Sequence, residues 1–119
     1  GGRIRGIPVQ IGGTSYVPPL PIETVVIERI DEIRSQDKEP IEIAIELCMY
    51  CMKTQVFKDG NKRASVIFAN HYLIAQGMGF LVIPEKDVPE FKKLLVQYYE
   101  GEPLEVIGAF LKERCWKNF

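Results

Sequence analysis

Two stretches of this chain, Ile41 to Thr54 and Ala64 to Ala75, are apolar on almost every face a helix could present. A surface helix keeps one apolar stripe and leaves the rest polar, so helices that are greasy all round belong in the middle of a bundle. The pair therefore predicts two buried helices, with residues 55–63 as the turn between them. Everything else in the chain has to cover that pair.

The remaining segments are suited to doing so. Ile22, Val26, Ile30 and Ile33 recur at helical spacing and predict an amphipathic helix ending near Ser35, where "SQDKEP" makes a polar break. Gly77 is placed as the glycine that closes the second greasy helix. Asp87-Val88-Pro89-Glu90 has capping-box spacing and predicts the start of a helix carrying Phe91, Leu94, Leu95 and Tyr98, stopped by Gly101. A last helix is expected from Leu104, Ile107, Phe110 and Leu111. Upstream, Ile7, Val9 and Ile11 alternate in a strand pattern, and Pro8 demotes it to an edge or hairpin position. Gly12-Gly13-Thr14-Ser15 is turn chemistry, and Val17-Pro18-Pro19-Leu20-Pro21 is a stiff extended lead. The expected architecture is all-α with one small β-hairpin. A chain of 119 residues suggests one domain, with the hairpin in 1–16 and a helical core in 17–119.

Composition excludes more than it reveals. The net charge is −1, so no global field draws the chain to nucleic acid or an anionic membrane, and any basic site must be local. No apolar run approaches a membrane span, and no signal-peptide pattern is present. Three cysteines, two of them inside a helical pattern, suggest reduced thiols in a cytosolic compartment. Cys48 and Cys51 have CxxC spacing, but with no second pair and His71 as the single histidine they read as packed thiols rather than a metal site. The chain begins Gly-Gly-Arg without an initiator Met and reads as part of a longer protein.

The turn itself, "QVFKDGNKRAS" over residues 55–65, carries the chemistry. One reading is a plain connector, with Asp59-Gly60-Asn61 as an Asx-type turn capping the next helix and Lys62 and Arg63 solvated. The other is an anion site. Gly60 lets the backbone approach a ligand, and the first amides of the following helix are unpaired at the positive end of its dipole. Lys62 and Arg63 add full charges, and Arg63 can hold two phosphate oxygens at once. Asp59 offers a carboxylate to magnesium, which usually binds one or two carboxylates plus substrate phosphates. Cations at a helix start oppose its dipole unless an anion is present. The spacing of a Walker A loop is absent. Both readings stay open on the residues alone.

At these positions the sequence resembles the Fic/Doc family, whose motif reads HxFx[D/E]GNGRxxR, or HxFxDANKR in Doc-like members. Phe57, Asp59, Gly60, Asn61 and Arg63 match it, and Lys62 matches the Doc variant. "PVQIGGTSYVPP" is similar to the segment forming the family's β-hairpin flap, so the resemblance covers roughly residues 4–80. It implies a Fic-type helical bundle that transfers AMP from ATP, or in Doc-like proteins a phosphoryl group, to a serine, threonine or tyrosine hydroxyl of a protein target. It further implies Asp59 as the magnesium ligand, Gly60, Asn61, Lys62 and Arg63 as the anion hole, and Phe57 as the loop's anchor. Ile7, Val9 and Ile11 of the flap would help dock the target, though packing onto the helices fits those three residues equally well.

Three departures bear on activity. Gln55 stands where the family has its general-base histidine, and an amide can orient a hydroxyl but not take its proton. Loss of such a base typically costs about 10²–10⁴-fold in rate. His71 lies ten residues beyond Asn61 on the same helix, about 15 Å along its axis, and is no substitute. Val66 stands in place of a second arginine, and Lys62 replaces a glycine of the hole. The family's inhibitory motif is absent, since Glu100-Gly101 has Val96 at the key position. The sequence thus leads to impaired AMP transfer, with three alternatives: a nucleotide-binding pseudoenzyme or regulatory module, Doc-like phosphoryl transfer, or an active enzyme in which the histidine has been changed. A DNA-binding helical domain is disfavoured by the lack of a basic face.

Overall fold

A computed structural model describes residues 13–57 and 60–118, and within them the chain forms five α-helices and one small sheet. The helices are α1 (Glu23–Arg34), α2 (Pro40–Thr54), α3 (Asn61–Ala75), α4 (Val88–Tyr99) and α5 (Leu104–Phe110). A π-helical turn, Leu111–Cys115, continues from α5. Strands β1 (Phe80–Leu81) and β2 (Trp116–Lys117) pair antiparallel, Phe80 opposite Lys117 and Leu81 opposite Trp116. The all-α architecture is as expected. Of the hairpin expected in residues 1–16, residues 1–12 lie outside the described residues and residues 13–16 form no strand, and the sheet that is seen joins two other segments.

Helix α2 is the axis of the bundle. Pro40 opens it, where a missing N–H costs nothing, Glu42 sits in its first turn and Lys53 in its last. Nine of its fifteen residues are buried. Ile45, Met49 and Met52 share a core with Phe91 and Leu95 of α4 and Ile107 of α5. Ile43 and Leu47 meet Ile33 of α1 on another side. A helix contacted from several directions has no polar face to spare, and its sequence shows none.

Helix α3 corrects the expectation that both greasy runs are central. It buries only Ser65, Ala69 and Leu73, while Ile67 and Ile74 are about half exposed and His71 faces solvent. The buried stripe is one residue wide, at i, i+4 and i+8, and two of its members are small, so α3 lies against α2 rather than inside the bundle. High apolar content without bulky residues on every face does not make a core helix.

The end of α3 follows expectation: Gly77 takes φ +72°, its amide donates to Ile74 O, and the Met78 amide reaches Leu73 O. Gly101 likewise closes α4, its amide donating to Tyr98 O. Asp87 does not cap α4. Its backbone is helical (φ −98°, ψ −3°) after a short 3₁₀ turn, whereas a capping side chain reaches back from an extended residue. Its Oδ1 accepts instead from Arg114 Nη1 at 3.1 Å, tying the head of α4 to the π-helical turn.

The small sheet is held by side chains as much as by its own ladder. Asn70 of α3 donates from Nδ2 to Leu81 O (2.8 Å) and accepts from Leu81 N at Oδ1 (2.7 Å). Trp116 Nε1 donates to Met78 O at 2.7 Å. Gly79, at φ +89°, sits so close to the Lys117 carbonyl that any Cβ there would collide with it.

Candidate functional site

The turn begins where α2 stops. Gln55 takes the left-handed conformation (φ 50°, ψ 50°), uncommon for a residue with a Cβ, and its amide donates to Met52 O. The Gln55 side chain folds back over the same carbonyl, Nε2 donating to Met52 O at 2.7 Å. Tyr99 of α4 also donates from its hydroxyl to Met52 O, at 3.4 Å, and shares a side-chain hydrogen bond with Gln55. Burial, then the nearby Cys48 thiol, hold the Tyr99 hydroxyl well above its ordinary pKa, so it is a neutral donor at any physiological pH.

The chain then dips into the core. Val56 is buried with Cys51 and Val26, and Phe57 lies edge-on to Phe68 of α3 with ring centroids 6.0 Å apart. That packing fixes the descending arm of the turn. Lys58 and Asp59 lie outside the described residues, as do Ile7, Val9 and Ile11, so the expected magnesium ligand and docking residues have no described geometry.

On the rising arm, Gly60 is left-handed (φ 55°, ψ 44°) and exposed, and among the described residues nothing lies within 4 Å of where a Cβ would stand. Helix α3 starts at Asn61, and Ala64 N donates to Gly60 O at 2.8 Å to close its first turn. Gly60, at the N-cap, has no side chain to cap that start, and no acidic residue occupies its first turn. Lys62 and Arg63 are both exposed there. The Asn61 side chain turns the other way: Oδ1 accepts from Phe57 N at 3.0 Å and Nδ2 donates to Cys51 O at 3.4 Å. The Asx-type reading is thus right about the turn being stapled by a side chain. Asp59, the other side chain that this reading would use to cap α3, lies outside the described residues.

The structure brings Gln55, Phe57, Gly60, Asn61, Lys62 and Arg63 together on one turn, with Val66 one helical turn further along α3. Sequence reasoning missed the supporting cluster. Tyr16 stacks on Tyr99 with centroids 5.9 Å apart, and the Lys53 ammonium lies over both Tyr16 (5.5 Å) and Tyr98 (5.0 Å). Thr14 Oγ1 donates to Glu100 at 2.6 Å beside them. The two adjacent tyrosines at 98 and 99 are the signal that the sequence offers for it.

Other candidates fall away from the turn. Cys48, Cys51 and Cys115 are buried and free; burial pushes the Cys51 thiol up to about 12 and, with Asp87 adding to it, Cys115 to about 11. Such thiols are inert packing groups. No three His, Cys, Asp or Glu side chains among the described residues cluster as a metal site, and no described helix is long and apolar enough to cross a membrane.

Fold and turn together define a helical domain that exposes a basic helix start at a tight glycine turn. The family model for the Fic/DOC family matches residues 1–73, well over half of the chain and including the whole turn, and the chain belongs to that family. No curated protein matches the chain closely.

Proposed function

We propose that this domain binds a nucleoside triphosphate at the 59–63 turn and that it derives from a Fic-type AMP transferase whose chemistry is impaired at Gln55. The observation that supports this best is the start of α3: a left-handed glycine at the N-cap, no carboxylate in the first turn and two exposed cations. Without an anion, Lys62 and Arg63 face the positive end of a dipole; with a polyphosphate present, both become favourable. Among the described residues, nothing crowds the approach to the Gly60 backbone. Asp59 is the expected magnesium ligand, and one carboxylate is enough because magnesium takes its other ligands from phosphates and water. Bound there, the metal would neutralise charge on the phosphates.

The target is a protein hydroxyl, of serine, threonine or tyrosine, approaching Gln55. There the amide can orient the hydroxyl while leaving its proton in place. A binding or regulatory module is the second reading, and one observation favours it: Gln55 Nε2 already donates to Met52 O, as a structural cap would. Doc-like phosphoryl transfer draws on Lys62 alone.

Incubation with α- and γ-labelled ATP, magnesium and a cell lysate separates these. Label transferred from the α position supports AMP transfer, and label only from the γ position indicates phosphoryl transfer. Binding without transfer indicates a module. An Arg63→Ala variant with unchanged fold and unchanged ATP affinity would overturn the placement of the phosphates.

A further inference from the structure

We propose that a second copy of this chain docks on the apolar face formed by residues 17–22 and the first turns of α1, about a two-fold axis running along that helix. Ten large apolar side chains stand exposed among the described residues, and four of them, Val17, Leu20, Ile22 and Val25, are on this short stretch at 50–64% exposure. Scattered apolar residues need no explanation, whereas a group of this kind marks an interaction surface. Leu20, Ile22 and Val25 line a cleft of about 450 Å³, together with Tyr50 and Thr54 of α2. The chain cannot fold these side chains away. Pro18 is buried, Pro19 and Pro21 stiffen the backbone on either side of Leu20, and buried Val26 anchors the helix beside Val25. Ile22 is also the N-cap of α1, where serine, threonine, asparagine or aspartate is favoured, and it makes no side-chain cap. An exposed isoleucine in that position brings no gain within the chain itself.

The charges select the occupant. The same face carries both signs, as Glu28, Arg29 and Glu32. A face of one sign repels its own copy, and a two-fold contact needs a surface that complements itself. Successive residues of a helix are about 100° apart, so Glu28 and Arg29 flank the line through Val25 on opposite sides. A two-fold axis along that line sets Val25 against its own copy, and Glu28 of each copy against Arg29 of the other. Glu28 makes no ion pair with a described residue. Arg29 reaches Glu32 and Glu46 at 3.5 Å each, yet its side chain stays 46% exposed and has further N–H groups to offer. Glu32 lies two turns past Val25, about 10 Å on, where crossing helices have parted.

The dimer is independent of the nucleotide reading, because no residue of the 59–63 turn belongs to this face. Either can fail without the other.

Analytical ultracentrifugation of the intact chain tests this, with circular dichroism and thermal melting to verify the fold of each variant. The chain should show a monomer–dimer equilibrium with a dissociation constant on the order of 10 µM, as suits a small interface. Ile22→Asp and Val25→Asp, both at exposed positions, should each weaken pairing about tenfold or more. Glu28→Arg and Arg29→Glu should each weaken it too, since like charges then face one another across the axis. Mixed in equal amounts, those two variants should associate at least as well as the parent chain. Only a contact between two copies of one face gives that restoration. Arg29→Glu also removes two ion pairs within the chain, so the two aspartate variants carry the test should it melt early. A chain that stays monomeric up to about 1 mM overturns the proposal. So does a dimer indifferent to Val25→Asp, or a failure of the folded charge variants to pair on mixing. A chain that never pairs with itself but captures another protein on this face overturns it equally.

Discussion

At the turn, both ends of the Asn61 amide are engaged with backbone groups on the α2 side, Phe57 N and Cys51 O. Asn61→Ala should therefore cost about 1–2 kcal/mol of stability by leaving those groups unpartnered, and should weaken ATP binding although no charge is lost. Asn61→Asp keeps the acceptor for Phe57 N, so it should melt above the alanine variant yet bind ATP worse, through repulsion. Thermal unfolding and calorimetry on the pair give both readings. At the neighbouring position, Gln55→His should raise hydroxyl modification by about 10²–10⁴-fold if the missing base is the only defect. A histidine variant that binds ATP and stays inert would move the blame to Lys62 or Val66. These residues were legible in the sequence because they fall within one short stretch. Tyr99 was not, because its partner Met52 is 47 positions away and no local pattern connects them.

Among the elements, α1 and α4 follow directly from apolar spacing, because each buries a bulky stripe, and α2 from being apolar on almost every face. The strands do not. Two residues each are too few for alternation to show, and β1 depends on an asparagine from another element. Asn70→Ala should strip Leu81 of one donor and one acceptor together and lower stability by about 1–3 kcal/mol. ATP affinity should hold, because neither Asn70 nor Leu81 belongs to the 59–63 turn. Denaturant unfolding read against ATP calorimetry checks this. Unchanged stability would mean that Leu81's backbone finds solvent instead.

For the molecule as a whole, the three buried thiols set an alkaline limit. Their pKa values in the folded chain lie above that of an ordinary cysteine, with Cys51 near 12 and Cys115 near 11. The unfolded chain therefore releases these protons first as pH rises, so it holds fewer protons than the folded chain, and stability falls with pH. The stabilising contribution is complete below about pH 8.5, the ordinary thiol value, and is lost progressively toward 11–12. Melting temperature should accordingly be flat in this respect near neutrality and decline from about pH 9, less so in a Cys48→Ala, Cys51→Ala, Cys115→Ala variant. In native protein a thiol reagent should label none of the three quickly, and all of them on unfolding.

The ring stack beside the turn has a consequence for where this domain can be divided. The family match ends at residue 73, yet the hydroxyl that steadies Gln55 belongs to residue 99, and the segment entering the bundle is moored to residue 100 through Thr14. The boundary recognised in sequence is not a boundary in space. A fragment trimmed to the recognised portion would keep every motif residue and lose the wall they lean on, together with the α4 and α5 side chains that cover α2. Conversely, a tail grafted from a distant relative could retune Gln55 without altering a single letter of the motif. In this chain the part that looks generic is what gives the diagnostic part its shape.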